Sequence, residues 1–306
     1  MTQAGDGLGP AFVTGGGGFA GSHLVTLLRE RGLDVAAPPH AELDLLDGDA
    51  VARAVAAAAP GSVFHLAALA SVGRSWEAPR EVLRENLAMT VNVLEAVRFA
   101  APAAAVLVAG SGEVYGPPAQ LPVAEDAPLA PQNPYAVSKA ACDLLAGQYA
   151  DGHGLRVVRT RAFNHAGPGQ SDDYVVGTLT RQVAQAELAG HAEVVLRTGN
   201  VEARRDFTDV RDVVRAYVAA AELAPGAYNV CSGDAVTVRM LIELLSEVAE
   251  VEVRHEIDPE RLRPNDVPEV RGSAERLRGL TGWAPQIELE DTISAALAGW
   301  RERLRT

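Results

Sequence analysis

Residues 11–31 read AFVTGGGGFAGSHLVTLLRER, and this stretch decides the fold. A short apolar run at Ala11–Thr14 ends in glycines, and Gly21–Arg31 then shows helical spacing with leucines along one face. Gly32 follows as a stop signal for the helix. A strand, a glycine-rich turn and a helix in this order predict the first unit of a parallel α/β sheet.

The glycines of the turn have a spacing that suits a pyrophosphate. Gly15, Gly18 and Gly21 form a G-x-x-G-x-x-G pattern. The first glycine permits a tight turn, the second lets the backbone approach the anion, and the third lets the helix pack closely on the strand. The N–H groups that open the helix would face the anion. A flexible glycine loop is the alternative, but the position between a strand and a helix favours dinucleotide binding.

The rest of the chain continues the alternation of strands and helices. Further strands are predicted at Asp34–Ala37, Ser62–Leu66, Ala105–Ala109, Arg156–Arg161 and Ala227–Val230. Further helices are predicted at Ala50–Ala59, Glu81–Ala100, Tyr135–Ala150 and Asp209–Leu223. This alternation predicts an α/β fold, a doubly wound parallel Rossmann sheet with helices on both faces.

The pattern loosens after residue 163, which indicates a second domain. We expect residues 1–163 and 209–231 to form the dinucleotide-binding domain. Residues 164–208 and 232–306 are expected to form a smaller, discontinuous α/β domain that binds the substrate. Because ligands of open α/β sheets bind outside the carboxyl ends of the strands, the smaller domain would cover those ends.

Composition and charge exclude several classes of partner. The formal net charge of −13 opposes binding to nucleic acid or an anionic membrane, since both require a positive surface. No apolar run reaches the ~20 residues of a membrane span, and the first residues, MTQAGDGLGP, lack the pattern of a signal peptide. The seven histidines form no metal-binding motif, so no metal site is predicted. Cys142 and Cys231 are expected to be core thiols of a cytoplasmic protein.

A tyrosine and a lysine four residues apart indicate proton transfer. Tyr135 and Lys139, in PYAVSK, share one face of a predicted helix because an α-helix has 3.6 residues per turn. A phenol with a pKa of about 10 is neutral at pH 7, and a neighbouring ammonium makes it a better proton donor. Ser111, just after a buried strand, could hold the oxygen that reacts. A pair on the helix surface is the alternative.

Together these motifs resemble the extended short-chain dehydrogenases/reductases that act on nucleotide sugars. The resemblance covers nearly the whole chain, in the order VTGGGGFAGSHL, FHLAALASV, GSGEVYG, NPYAVSKAA, RAFNHAGPGQ, ARRDFTDVRDVVRAY and YNVCSG. It implies that Ser111 orients the substrate oxygen and that Tyr135 exchanges its proton. It also implies that Lys139 binds the nicotinamide ribose while tuning Tyr135.

The resemblance also implies a set of cofactor contacts. Besides Tyr135 and Lys139, they are Gly15, Gly18, Phe19, Ala20, His40, Asp44, Leu45, Leu66, Ala67 and Ala68. An acid after the second strand would bind the ribose 2′-hydroxyl, and an arginine would favour a 2′-phosphate. The stretch DVAAPPHAELDLLD at 34–47 has neither residue directly after the strand, so the choice between NAD and NADP stays open.

The second half of the chain most resembles reductases of GDP-4-keto-6-deoxymannose. The likeness lies in FNHAGPGQ, GNVEARRDFTDVRD and RPNDVPEVRGSAERL. The implied substrate contacts are Ser111, Gly112, Glu113, Asn164, Val175, Arg205 and Arg263. Guanidinium forks suit a dianionic diphosphate, whereas Arg204 is expected to be a solvated surface charge. The implied reaction is NAD(P)H-dependent reduction of the C4 keto group, which forms GDP-6-deoxy-D-mannose (GDP-D-rhamnose).

Glu113 keeps a second reaction open. In the related 4,6-dehydratases a glutamate at the matching position removes the C5 proton, and the segment EVYG aligns Glu113 with it. A glutamate also occurs here in sequences that resemble the reductases, so Glu113 is interpreted as a pocket acid whose catalytic role is optional. A nucleotide-sugar 4-epimerase and a cofactor-binding sensor without turnover are the remaining alternatives.

Two predicted helices also indicate an oligomer. Glu81–Ala100 and Tyr135–Ala150 carry apolar residues on more than one face, which is typical of helices that pack against a partner. In the family that the chain resembles, these helices form a four-helix bundle between two subunits. We therefore expect a homodimer.

Overall fold

The computed structural model describes residues 7–261 and 267–305. Its strands are β1 (Ala11–Thr14), β2 (Val35–Ala36), β3 (Ser62–His65), β4 (Ala105–Ser111), β5 (Arg156–Ala162), β6 (Asn164–Ala166), β7 (Glu193–Thr198), β8 (Arg204–Asp209), β9 (Gly226–Val230), β10 (Ala235–Thr237), β11 (Glu252–Ile257) and β12 (Glu269–Val270). Its α-helices are α1 (Phe19–Glu30), α2 (Gly48–Ala58), α3 (Val72–Glu77), α4 (Pro79–Ala100), α5 (Pro134–His153), α6 (Val175–Leu188), α7 (Val210–Ala221), α8 (Val238–Val248), α9 (Glu275–Thr281) and α10 (Leu289–Arg303). Short 3-10 helices lie at Gly112–Tyr115 and Pro259–Arg261.

Six strands form one parallel sheet in the order β2-β1-β3-β4-β5-β9. The strand order changes direction between β1 and β3, and this is the point at which ligands of such sheets bind. The segments that follow β1 and β3 touch there, because a methyl group on Gly15 would lie 2.7 Å from the Ala67 nitrogen. The predicted doubly wound parallel α/β fold is confirmed.

Helices cover both faces of this sheet. On one face α1 packs against α7, and their fully buried side chains include Leu24, Leu28 and Val213. On the other face α2, α4 and α5 pack together, with Val51 and Val93 fully buried. Every residue of β1 and β3 is therefore buried, which explains why apolar residues occupy consecutive positions in the middle of each strand.

Most elements differ from their predictions by one to three residues at an end, and the differences at β4 and α1 shape the site. β4 runs on to Ser111, past the predicted end at Ala109, and so carries Ser111 to the carboxyl edge of the sheet. α1 begins at Phe19, directly after the glycine turn, rather than at Gly21. β2 is limited to two residues, since the prolines that follow at 38 and 39 have no N–H group to extend the ladder.

A second group of elements follows Ala162. β8 pairs with β6, β10 and β12, and β7 pairs with β11 in a separate parallel ladder. Helices α6, α8 and α10 share a core in which Leu196, Leu241 and Leu297 are fully buried. Strands of two to six residues are too short for a clear period. For that reason the sequence predicted a second domain here but none of its individual strands.

Near its end the chain returns to the core of the main sheet. Leu277 and Trp283 are buried in the same cluster as Tyr217 of α7 and Val230 of β9. The Trp283 indole nitrogen donates to the Asp212 carbonyl oxygen over 3.0 Å. Residues 274–283 therefore pack on the six-stranded sheet, although they fall within the range 232–306 that was predicted for the smaller domain.

Candidate active site

The turn between β1 and α1 is shaped for close approach of an anion. Gly15 has a φ of +73°, and any side chain there would collide with Ala67, so only glycine fits. A methyl group at Gly21 would lie 1.9 Å from the Gly15 carbonyl oxygen. Helix α1 can therefore pack this closely on the turn only because residue 21 has no side chain. Gly18 precedes α1 and has no side chain to cap it, which leaves the first N–H groups of the helix for a ligand. This cradle fits a pyrophosphate.

Phe19 and Ala20 open α1, and the Phe19 ring reaches the second group of elements. It lies parallel to the His165 ring, with centroids 5.7 Å apart and 4° between the planes. His23, one turn further along α1, places its Nε2 2.9 Å from the Pro168 carbonyl oxygen. The pyrophosphate turn is thus docked against the segment that follows Asn164.

The residues predicted to contact the adenosine lie around the end of β2. A methyl group on Gly16 would lie 2.8 Å from Cβ of Ala37, so residue 37 borders the glycine turn. His40 and Asp44 are exposed, and the Asp44 carboxylate accepts from the Leu46 nitrogen over 2.9 Å. The Leu45 side chain is buried in the core below. Residue 37, which borders the glycine turn, is an alanine, so this position carries no charge.

Ser111, Tyr135 and Lys139 come together at the carboxyl end of β4. Pro134 is the first residue of α5, and the Asn133 side chain caps the helix by accepting from the Ala136 nitrogen over 2.8 Å. The side chains of Tyr135 and Ser111 are neighbours, close enough for the Ser111 hydroxyl to favour ionisation of the phenol and so to lower its pKa. One turn further, the Lys139 ammonium donates to the carbonyl oxygen of Ala109 in β4 over 2.8 Å.

Burial dominates the electrostatics of this trio. It raises the pKa of Tyr135, and the nearby Tyr174 and Glu113 act in the same direction, while the neighbouring Ser111 hydroxyl opposes them. The sequence suggested that Lys139 would ease ionisation of the phenol, but the loss of solvation outweighs such help here. Burial also lowers the pKa of Lys139. Tyr135 is therefore a neutral phenol, able to donate a proton.

Glu113 lies at the mouth of the same site. Its backbone nitrogen donates to Ser111 Oγ over 3.2 Å, and its carboxylate accepts from the Asn133 side chain over 3.1 Å. The side chain is exposed, and its charge helps to raise the pKa of Tyr135. Gly112, between Ser111 and Glu113, lies under the ring of Phe163, where a methyl group would be 3.0 Å from ring carbons.

The predicted substrate contacts of the second half lie on separate elements. Asn164 opens β6 and pairs in register with Phe207, while Val175 is the first residue of α6. Arg205, half-buried on β8, donates to the Val267 carbonyl oxygen over 2.8 Å. Arg263 lies outside the described residues. Arg204 is exposed, as predicted, and pairs with Glu269 over 3.3 Å.

Sequence reasoning missed two residues of the site, Asn133 and Tyr174. The Tyr174 hydroxyl donates to the Ala70 carbonyl oxygen over 3.2 Å and so links the start of α6 to the segment after β3. Asn133 could have been found, because an asparagine before a proline that opens a helix is a capping signal. Tyr174 carried no local signal, since its partners are distant in sequence.

In residues 7–261 and 267–305 no helix combines the length and hydropathy needed to cross a bilayer. The same residues contain no group of three His, Cys, Asp or Glu side chains arranged to hold a metal ion. Cys142 and Cys231 are both buried free thiols.

Comparison with known proteins assigns the family. A family model described as GDP-mannose 4,6 dehydratase matches residues 39–296. The chain belongs to this family. Its expected place among the extended short-chain dehydrogenases/reductases is thereby confirmed.

Individual members of the GDP-mannose 4,6-dehydratase family and its relatives differ in their named activities. GDP-6-deoxy-D-mannose reductase of Pseudomonas aeruginosa is 39% identical over 96% of this chain and 98% of its own. The structure of RMD from the same organism, complexed with NADPH, has a TM-score of 0.88 at 36% identity and covers 96% of this chain and 99% of its own. UDP-glucose 4-epimerase of Thermus thermophilus, in complex with NAD, has a TM-score of 0.83 at 30% identity, over 95% and 99% of the two chains.

Proposed function

We propose that this protein is an NADPH-dependent reductase that converts GDP-4-keto-6-deoxy-D-mannose to GDP-6-deoxy-D-mannose. One observation carries the proposal: Ser111, Tyr135 and Lys139 are gathered at the carboxyl end of β4, and burial keeps the Tyr135 phenol protonated. A protonated phenol beside a hydroxyl suits a ketone that becomes an alkoxide. The 39% identity to a GDP-6-deoxy-D-mannose reductase over nearly the full length of both chains supports the choice of substrate.

The roles of the chain's own residues follow from their positions. When bound, the reduced nicotinamide supplies the hydride for C4. The glycine cradle and the first N–H groups of α1 hold the pyrophosphate, and Lys139 binds the nicotinamide ribose. Ser111 donates a hydrogen bond to the C4 oxygen and stabilises the charge that develops there. Tyr135 gives its proton to the same oxygen, so the product leaves as an alcohol.

We assign the two groups of elements to the two ligands. Residues 1–163 and 209–231 would bind the cofactor, and residues 164–208 and 232–306 would bind the nucleotide sugar. Asn164, Val175 and Gly112 would contact the sugar nucleotide, while Arg205 and Arg263 would meet its phosphates with guanidinium forks. The packing of residues 274–283 on the main sheet means that the second part is anchored to the first.

A 4,6-dehydratase is the second candidate, and Glu113 is the observation that favours it. Its exposed carboxylate stands beside Tyr135 and is oriented by Asn133. As a base it would take a proton from C5 after oxidation at C4. The cofactor would then be regenerated in each cycle, so a dehydratase would consume no NADPH.

We further propose a homodimer built on α4 and α5. Leu83 and Leu87 of α4 are each 37% exposed, while Val137 and Leu144 of α5 are 41% and 63% exposed. Their spacings, four and seven residues, place each pair on one face of its helix. Two such helices from each subunit would bury these side chains in a four-helix contact.

We also place the reaction in the cytoplasm. Cys142 and Cys231 are buried and are not joined in a disulfide. Unoxidised cysteines are usual in proteins of a reducing compartment.

The test is a coupled assay with the substrate made in place. GDP-4-keto-6-deoxymannose is generated with a separate dehydratase, the protein is added with NADPH or NADH, and absorbance of the reduced cofactor is followed together with the product by NMR. The proposal requires consumption of reduced cofactor and formation of a C4-reduced GDP-deoxyhexose. Loss of water from GDP-mannose by this protein alone, without consumption of NADPH, would instead establish the dehydratase.

A further inference from the structure

His65, the last residue of β3, lies in a buried chain of hydrogen bonds that the proposed reaction does not use. The residue is 3% exposed. Its Nδ1 lies 2.8 Å from Thr14 Oγ1, and its Nε2 lies 3.1 Å from Thr90 Oγ1. Thr14 is the last residue of β1, directly before the glycine turn, and Thr90 lies in the middle of α4. One imidazole thus joins β1, β3 and α4 beneath the turn.

The contacts of Thr90 determine which ring nitrogen carries the hydrogen. Its hydroxyl donates to the Asn86 carbonyl oxygen over 2.8 Å, the shortest of its hydrogen bonds, and a hydroxyl has a single proton to donate. The Thr90 oxygen must therefore accept from His65, so the hydrogen is on Nε2. Nδ1 is then bare and accepts from the Thr14 hydroxyl. In the opposite tautomer Nε2 would be unprotonated, and Thr90 would have to donate its only proton to it. Thr90 could then not donate to the Asn86 carbonyl oxygen.

A neutral ring is needed for this arrangement. A neutral imidazole has one donor and one acceptor, whereas a charged imidazolium has two donors and could not accept from Thr14. Burial, together with the charge of Lys139, lowers the pKa of His65 from 6.5 to about 3. The ring is therefore neutral throughout the range in which an enzyme of this kind is assayed.

The hydrogen bonds around His65 connect the segment after β3 with the glycine turn on one side and with helix α5 on the other. All three are proposed to contact the cofactor. The Leu66 nitrogen donates to the Thr14 carbonyl oxygen over 3.2 Å, so the segment that follows His65 is tied to the start of the glycine turn. On the other side of the ring, Asn86 accepts from the Leu69 nitrogen over 2.7 Å. The same Asn86 side chain donates to Ser138 Oγ of α5 over 2.9 Å.

We propose that His65, as the Nε2–H tautomer, is a positioning residue for the dinucleotide. It holds Leu66–Ala68 against the glycine turn and, through Thr90 and Asn86, keeps them aligned with the helix that carries Tyr135. The inference rests on the dinucleotide cofactor of the proposed function. It assigns no role to His65 in the transfer of the proton or the hydride.

The tautomer is tested by NMR, in an experiment that requires no activity assay. Protein labelled with ¹⁵N in the histidine rings is examined by long-range ¹H–¹⁵N correlation at pH 7, and the His65 signals are assigned by their loss in His65→Gln. We expect Nε2 in the pyrrole-like range and Nδ1 in the pyridine-like range, with no change down to pH 5.5. A protonated Nδ1 would overturn the proposal.

The positioning role is tested with an isosteric pair at Thr90. Thr90→Val removes the hydroxyl and leaves the buried Nε2–H without an acceptor, while Thr90→Ser keeps the hydroxyl. Because the segment Leu66–Ala68 would lose part of its alignment, we expect Thr90→Val to raise the Kd of NADPH about tenfold, with kcat at saturating NADPH within about threefold. Thr90→Ser should recover most of the affinity. An unchanged Kd in Thr90→Val, or a fall in kcat at constant Kd, would contradict the role.

This experiment separates the inference from the proposed function. The Kd is measured by quenching of protein fluorescence in the absence of any sugar, at a temperature where circular dichroism shows both variants to be folded. A wild-type protein that binds NADPH but fails to reduce the sugar would refute the reductase and leave the Thr90 comparison intact. A wild-type protein that binds no dinucleotide would refute both.

Discussion

The Asn133 side chain joins the two halves of the catalytic site, because its amide nitrogen donates to the Glu113 carboxylate over 3.1 Å while its amide oxygen caps α5. Glu113 in turn donates from its backbone to Ser111. The first turn of α5, which carries Tyr135, is thereby held in register with the end of β4, which carries Ser111. Asn133, which has no part in the proposed chemistry, thus links the element that carries Ser111 to the helix that carries Tyr135.

Substitutions of Asn133 should therefore affect stability and turnover to different degrees. Asn133→Ala removes the cap and should lower the free energy of unfolding by about 1 kcal/mol, with a fall in kcat. Asn133→Asp keeps a capping oxygen but sets a second carboxylate beside Glu113, so it should retain most of the stability and still lose turnover. Denaturant unfolding and the coupled assay measure the two effects. Equal turnover in Asn133→Asp and wild type would show that the amide donor is dispensable.

Removal of the Tyr135 hydroxyl should abolish turnover while the cofactor still binds. Tyr135→Phe deletes the proton donor but keeps the ring, so kcat should fall by about 10²- to 10⁴-fold. The Kd of NADPH, measured by fluorescence, should stay within about twofold. Tyr149→Phe, at the far end of the same helix, is the matched control and should retain wild-type kcat. Undiminished turnover in Tyr135→Phe would remove the basis of the proposed mechanism.

Residue 37 should set the preference for NADP or NAD. Ala37 borders the glycine turn, where an acid would bind the ribose 2′-hydroxyl and repel a 2′-phosphate. Ala37→Asp should therefore raise the KM for NADPH about tenfold or more and lower the KM for NADH. Ala56→Asp, on the exposed side of α2, adds the same charge away from the turn and should change neither value. Parallel changes in both variants would assign the effect to net charge alone.

His65 should make the fold sensitive to acid. The pKa of His65 is about 3 in the folded protein and 6.5 when the ring is exposed. Below pH 6.5 the unfolded chain therefore binds a proton at this ring, whereas the folded chain does not. Stability then falls as the pH falls from 6.5 towards 3, by about 2 kcal/mol between pH 7 and pH 5. The difference in unfolding free energy between wild type and His65→Gln should shrink by that amount over the same range. A constant difference would show that the ring titrates normally.

Charges on the exposed stripe of α4 and α5 should separate the subunits. Leu87→Glu combined with Leu144→Glu would place four carboxylates in the proposed four-helix contact, so the protein should elute as a monomer in size-exclusion chromatography with light scattering. Leu280→Glu is the control, because Leu280 of α9 is 60% exposed but lies away from both helices. Wild-type protein that is already monomeric at micromolar concentration would refute the dimer.

Much of the fold and part of the site could be predicted from the sequence, because the relevant physics is local. The tight turn favours glycine at 15, where φ is +73°, and close packing of α1 on the turn needs glycine at 21, beside the Gly15 carbonyl oxygen. Two residues four apart on a helix share a face, so the pairing of Tyr135 with Lys139 follows from their spacing alone. Continuous apolar runs predicted the central strands, since such strands are buried on both faces.

Only the tertiary structure decided how these parts act together. The proximity of Ser111 and Tyr135 brings together residues 24 positions apart, one on a strand and one on a helix, and burial, which no local pattern expresses, raises the pKa of the phenol. The partners of His65 lie on β1 and α4, 51 and 25 residues away. Local sequence determines backbone geometry and helical faces, whereas desolvation and long-range hydrogen bonds exist only once the chain is packed.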